Sequence, residues 1–262
     1  MLVAAVQMNC VLNDVAANLQ KAERLIAGTK ADWVVLPELF NTGYVVKSDE
    51  EMAECIADSP TIRWMQTVAQ KQGILLSGCL MVKRADGVIT DTAISVNANG
   101  IVAEYDKVHL WNGEEARFKN GNRLMQPFRY QDFQIGMQIC YEIGFPELSR
   151  LMVLAGANVL MYTAAFGRAR YQVWDIQSKA RALENGAYVV ACNRAGTDEE
   201  VVLGGRSRIV APDGSVIVEA SVLDDEVIEA ELDIEKVIEA RRTVPYLRDL
   251  NLNLVQSEWA KI

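Results

Sequence analysis

The chain has 262 residues, half of them apolar and 23% charged, with a formal net charge of -9 and a pI near 4.8. That composition suffices for a large buried core and excludes a disordered chain, while the acidic balance argues against a phosphate-binding surface and so against nucleic acid as a partner. Five cysteines with no C-x-x-C pair suggest neither a disulfide framework nor a zinc site, so free thiols in a reducing, cytoplasmic setting are expected. The opening "MLVAAVQMNC" carries no basic leader and no apolar run is long enough to cross a bilayer, so no membrane partner is expected.

The elements alternate along the chain. "LVAAVQM" (2–8) reads as a first strand, "DVAANLQKAERLIAGTK" (14–30) as a helix capped by Asp14, and "WVVLPELF" (33–40) as a second strand. A helix from Ser59 and Pro60 to Gly73 leads into "ILLSGCLMVKR" and "TDTAISVNANG", the latter ending in an Asn99-Gly100 turn that implies a hairpin. In the second half, "FQIGMQICYE", "NVLMYTAA" and "AYVVACNRAG" read as strands, separated by helices over "PELSRLMVLAG" and "VWDIQSKARALENG". Antiparallel segments turning at Pro212-Asp213-Gly214, "EVIEAELD" and a short helix ended by Pro245 close the pattern. No linker divides the halves, so residues 1–262 are expected to form one α/β domain with mixed sheets. The stretch 245–262 carries spaced Leu, Val and Trp and is expected to dock on its own domain or on a second subunit.

His109 is the only histidine. Any Cys-His or Ser-His arrangement must therefore run through it, and a multi-histidine metal site is impossible. Phosphate-cradling glycine motifs are also missing, so proton transfers in an enzyme would fall to carboxylates and lysine. Glu38, Lys107 and Cys140 each follow an apolar strand, where the ligand sites of α/β sheets gather. Taken singly, Cys140 reads as a small core hydrophobe, Glu38 and Lys107 as solvated charges, and His109 as a hydrogen-bonded structural residue.

Together they point elsewhere. "LPELFNTGY", "YDKVHLW" and "ICYEIGFPELSR", in that order and at these separations, resemble the three signature blocks of the nitrilase superfamily of carbon-nitrogen hydrolases. "QSKARALENGAYVVACNRAG" and "GGRSRIVAPDGSVI" extend the resemblance over about residues 2–235. It implies an α-β-β-α sandwich whose members commonly pair into four layers, which would give the apolar tail a subunit interface in a homodimer or higher oligomer. It implies Glu38 as general base, Lys107 as electrostatic stabiliser, Cys140 as nucleophile, and a second glutamate ahead of an aromatic residue. For that glutamate, Glu114 has the four-residue spacing to Phe118, with Glu115 as its rival.

A thiol of ordinary pKa, about 8.5, needs a neighbouring base or cation to attack an amide at neutral pH, and the implied residues supply both without metal or organic cofactor. The expected substrate is a small primary carboxamide, aliphatic or of an amino acid, with Tyr44, Tyr141, Glu142 and Ala164 as substrate-binding candidates. Trp111, Phe145 and Ala165 are further pocket candidates. Glu142 reads equally as a contact for a substrate amine and as a buried carboxylate bonded to backbone amides. "CYE" differs from the "CYD" start common in ω-amidase-like members. An N-carbamoyl hydrolase, a nitrilase and a silent scaffold are the alternative readings.

Overall fold

The computed structural model describes residues 1–261. Two six-stranded mixed sheets lie face to face. The first contains β1 (Leu2–Gln7), β2 (Trp33–Val35), β3 (Leu75–Lys83), β4 (Ile89–Asn97) and β5 (Gly100–Asp106). The second contains β6 (Phe128–Tyr130), β7 (Phe133–Ile139), β8 (Val159–Ala164) and β9 (Tyr188–Asn193). A two-stranded ribbon, β10 (Thr197–Asp198) and β11 (Val201–Val202), precedes β12 (Arg208–Val210) and β13 (Val216–Glu219), which complete the second sheet. β14 (Glu226–Glu231) returns to the first sheet and pairs antiparallel with β1.

Alternation along the strands explains the layers. In β1, Val3 and Ala5 face the second sheet and share a core with Met137, Ile139 and Met161. Ala4 and Val6 face the opposite way, onto Ala22 and Ile26 of helix α1 (Val15–Ile26). Beyond the short helix α2 (Asp49–Met52), α3 (Pro60–Gln72) adds Met65, Val68 and Ala69 to that outer core. On the far side, α4 (Pro146–Leu154) and α5 (Tyr171–Asn185) bury Met152, Val153, Trp174 and Ala182 against the second sheet. The expected α-β-β-α sandwich is therefore present, with apolar side chains alternating to serve two cores at once.

Local signals behave as their chemistry dictates. Asp14 caps α1 by accepting from the Ala17 amide at 3.0 Å, and Ser59, Pro60 and a left-handed Gly73 bound α3. The hairpin between β4 and β5 pairs Asn97 with Gly100, so its two turn residues are Ala98 and Asn99. β2 is shorter than the sequence suggests and stops at Val35. Pro37 has no N–H for a ladder, and Leu39 turns the chain at φ 49°. After α6 (Ile234–Thr243), the tail forms α7 (Tyr246–Asp249) and α8 (Leu252–Trp259); its last residue, Ile262, lies outside the described residues.

Candidate active site

Three strand ends converge. Glu38 follows β2, Lys107 follows β5 directly and Cys140 follows β7 directly, so the first sheet supplies a carboxylate and an ammonium while the second supplies a thiol. Lys107 is fully buried. Its Nζ donates to Glu38 Oε1 at 2.8 Å, to Glu114 Oε1 at 3.0 Å and to Asp91 Oδ2 at 3.2 Å. Carboxylate oxygens of Glu38, Asp91 and Glu114 lie within 4.8 Å of one another. A divalent cation could use such a cluster, but the ammonium already contacts all three members.

Burial opposes the charge on Lys107, yet the three carboxylates outweigh it and hold the lysine's pKa well above its ordinary value. Burial pushes Glu38 up to about 7, with Lys107 pulling it down and Asp91 pushing it further up. Ala165 at the end of β8 donates its backbone N–H to Glu38 Oε2 at 2.6 Å, which fixes the second oxygen.

Cys140 is 6% exposed and opens a 3₁₀ turn, Cys140–Gly144, at a φ of 47°. A side chain in the left-handed region costs of order 1 kcal/mol, and the surrounding structure must hold it there. Burial raises the thiol's pKa well above its ordinary value and the Glu38 charge adds to this, while Lys107 favours the thiolate. The resting group is a thiol with a base and a cation in electrostatic reach.

Glu142 provides the holding force. Its Oε2 accepts from the Ile139 amide at 2.9 Å. Its Oε1 accepts from Tyr105 Oη at 2.7 Å and from the amides of Val108 and His109 at 2.8 and 3.2 Å. One buried carboxylate thus ties the Cys140 turn to the loop that follows Lys107. Burial raises its pKa to about 7 against the pull of those donors. Of the two readings of Glu142, the geometry supports the buried carboxylate bonded to backbone amides, since both oxygens accept from the protein.

The other candidates sort by contact. Tyr44 donates its hydroxyl to Glu114 Oε1 at 2.7 Å, so it orients the second glutamate. Of the adjacent pair, Glu114 is buried on the lysine, whereas exposed Glu115 accepts from the Gly113 amide of its own turn. Ala164 is fully buried in the hydrophobic core and does not line the cavity beside Tyr141. Tyr141 is half-buried and meets Trp111 and Phe145 edge-on, with ring centroids 4.9 and 5.1 Å away. His109 stacks on Phe145 at 3.9 Å, and burial lowers its pKa.

Asp91 was not legible as a site residue. It lies inside β4, where "ITDTAISV" offers only an acid between two threonines. Its Oδ1 accepts from Cys79 Sγ at 2.8 Å and its backbone carbonyl accepts from the Lys107 amide at 2.9 Å. Gly121 closes the same corner: a Cβ there would meet the Asp106 carbonyl oxygen at 2.3 Å, so only glycine lets the chain pass.

A paired-sheet sandwich with a carboxylate, a lysine and a cysteine at converging strand ends defines a nitrilase-superfamily enzyme. The family model for carbon-nitrogen hydrolases matches residues 2–242, and the chain belongs to that family. A 2-oxoglutaramate amidase of Bacillus subtilis is 30% identical over 256 residues, 96% of this chain and 98% of that protein. An omega-amidase of Escherichia coli is 32% identical over 252 residues, 94% of this chain and 95% of that one. Among solved structures, a Saccharomyces cerevisiae member of branch 10 of the nitrilase superfamily superposes with a TM-score of 0.87 at 30% identity, covering 94% of each chain. The protein is accordingly a carbon-nitrogen hydrolase whose relatives include named amidases.

Proposed function

We propose that the protein hydrolyses a small primary carboxamide, aliphatic or of an amino acid, to carboxylic acid and ammonia through a thioester on Cys140. The observation that carries this reading is the buried Lys107 ammonium bonded to Glu38 and Glu114, with the Cys140 thiol in reach of all three. Cys140 Sγ attacks the amide carbon as its proton passes to Glu38. Lys107 and the backbone N–H of Tyr141 stabilise the tetrahedral oxyanion. Glu38 returns the proton to the departing nitrogen, the C–N bond breaks and ammonia leaves. Glu38 then takes a proton from water as it attacks the thioester, and the acid departs with the thiol restored. Glu114, held by Tyr44, keeps Lys107 in place.

The test is a panel of amides, ureido acids and nitriles, reading ammonia release and intact mass. Turnover of amides above the rest is the expected result. Preferential turnover of nitriles or ureido acids would move the substrate class, and no turnover or adduct across the panel would favour a scaffold.

The base role carries its own pH dependence. Glu38 must be ionised to accept the thiol proton, and its pKa is raised to about 7. kcat/KM should therefore climb as pH rises through about 7 and flatten above it, because the active form is the deprotonated one. Glu38→Gln should abolish turnover without unfolding the chain; a flat wild-type profile from pH 5.5 to 8 would remove Glu38 from this role.

We also propose that the sandwich works as one domain and that a second copy covers its outer helices. Leu151 and Leu154 of α4, Ile176 and Leu183 of α5, and Leu254 and Trp259 of α8 all stand exposed, more apolar surface than isolated side chains account for. Light scattering should give a homodimer or higher oligomer, and a monomer at micromolar concentration would sink the proposal.

A further inference from the structure

A buried ion pair lies against the loop that follows Glu38, and the proposed reaction does not use it. Arg194 follows β9 directly and Asp198 closes β10, and neither side chain is accessible to solvent. The guanidinium grips the carboxylate with two nitrogens, Nη1 on Oδ2 and Nη2 on Oδ1, the second at 2.7 Å. Such a pair contributes little net stability, because the cost of taking two charges out of water offsets their attraction. What it does supply is a fixed position for each group.

The pair is anchored at one end and reaches the site at the other. The Arg194 amide donates to the Ala164 carbonyl at 2.9 Å, one residue before the Ala165 amide that holds Glu38, and the Arg194 carbonyl accepts from the Gly205 amide at 3.0 Å. Between the two charges the chain turns at Gly196 with a φ of 89°, where a Cβ would meet Asn9 Cγ at 2.2 Å, so only glycine closes this loop. Asp198 Oδ2 then accepts from the backbone amides of Tyr44 at 2.7 Å and Val45 at 3.4 Å. The far end of the Tyr44 side chain donates to Glu114 Oε1 at 2.7 Å, the same oxygen that accepts from Lys107 at 3.0 Å. An unbroken chain of bonds thus runs from Arg194 to the ammonium.

We propose that Asp198, clamped by Arg194, is a positioning residue for the reaction: it fixes the Tyr44 backbone and thereby the hydroxyl that shares Glu114 Oε1 with the Lys107 ammonium. The inference rests on the hydrolase reading of Cys140. Among the described residues neither side chain of the pair bonds Glu38, Lys107 or Cys140, so Tyr44 carries its influence. The direction of the effect follows from the sharing. With the hydroxyl displaced, Oε1 is left to the ammonium alone and draws it toward Glu114, away from the thiol. A cation that retreats stabilises less thiolate before the attack and less oxyanion after it.

The experiment is a double-mutant cycle on Asp198→Asn and Tyr44→Phe, read by two rates. The first is alkylation of Cys140 by iodoacetamide near neutral pH, followed by the mass of its peptide, which needs no substrate and is not confused by exposed Cys55. Each single variant should slow it about 10-fold, as expected for the loss of one hydrogen bond to a charged group, and the double variant should be no slower than Tyr44→Phe. The second rate, kcat on whichever amide the wild type turns over, should follow the same pattern. A merely structural role has the opposite sign in the first rate, because a loosened fold exposes the buried thiol and speeds its alkylation. Faster or unchanged alkylation in Asp198→Asn, or losses that multiply in the double variant, would overturn the proposal. Should Asp198→Asn fail to fold, Arg194→Lys, which keeps the charge but cannot grip both oxygens, takes its place in the cycle with the same expectation. Alkylation that follows the pattern while no amide is turned over keeps the positioning role and removes the hydrolase reading; turnover with multiplying losses does the reverse.

Discussion

Cys140→Ala should lose at least about 10⁴-fold in amide hydrolysis while keeping its fold, since removal of a covalent nucleophile leaves only binding and oxyanion stabilisation. The substituted residue inherits the φ of 47°, which alanine tolerates no better than cysteine, so the backbone strain is common to both proteins. The turn itself is held from outside, by Glu142 on the Ile139 amide at 2.9 Å and by Arg181 on the Ile143 carbonyl at 2.9 Å. Intact mass after quenching should show an acyl adduct on the wild type and none on the variant. A variant that still hydrolyses amides at more than a few per cent of the wild-type rate would assign the chemistry to another group.

Lys107→Met should damage both stability and activity. The substitution fits the buried stem but leaves Glu38, Asp91 and Glu114 with oxygens within 4.8 Å of one another and no cation. Removing one partner from a buried ionic cluster typically costs about 3–5 kcal/mol, and losing one oxyanion donor costs about 10²- to 10³-fold in rate. The stability loss carries a sign with pH. Without Lys107 the Glu38 carboxyl, already raised by burial to about 7, rises further above its unfolded value, which penalises the folded state as pH rises. The gap from wild type should therefore be widest near pH 8 and narrow toward pH 5. Urea unfolding at the two pH values measures it, and equal stability of the two proteins at pH 8 would mean that the carboxylates do not depend on the ammonium.

Glu38, Lys107 and Cys140 were legible because each sits just past an apolar strand, and because their three surrounding blocks occur together in order. The sandwich was legible through alternation, as in Val3 and Ala5 against Ala4 and Val6. Residues whose role depends on a distant partner were not. Asp91 and Lys107 meet across the hairpin of β4 and β5, and Tyr44 reaches Glu114 across 70 positions. Glu142 could be read two ways until its four donors were seen. The two tail helices leave little trace in the sequence for a simpler reason: α7 spans four residues and α8 eight, too short for a clear helical period.

The split of the chemistry between two sheets has a consequence for how the enzyme can fail. Glu38, the proposed base, and Lys107 belong to one slab of the sandwich and the Cys140 thiol to the other, and the two slabs are joined by Glu142, by the Ala165 amide on Glu38 and by Ser95 Oγ against Met137 Sδ at 3.1 Å. Neither slab holds a working site by itself. Alignment across the seam therefore sets the geometry of the reaction, and a displacement of about 1 Å of one sheet over the other would cost about 10²-fold in rate with every strand still paired.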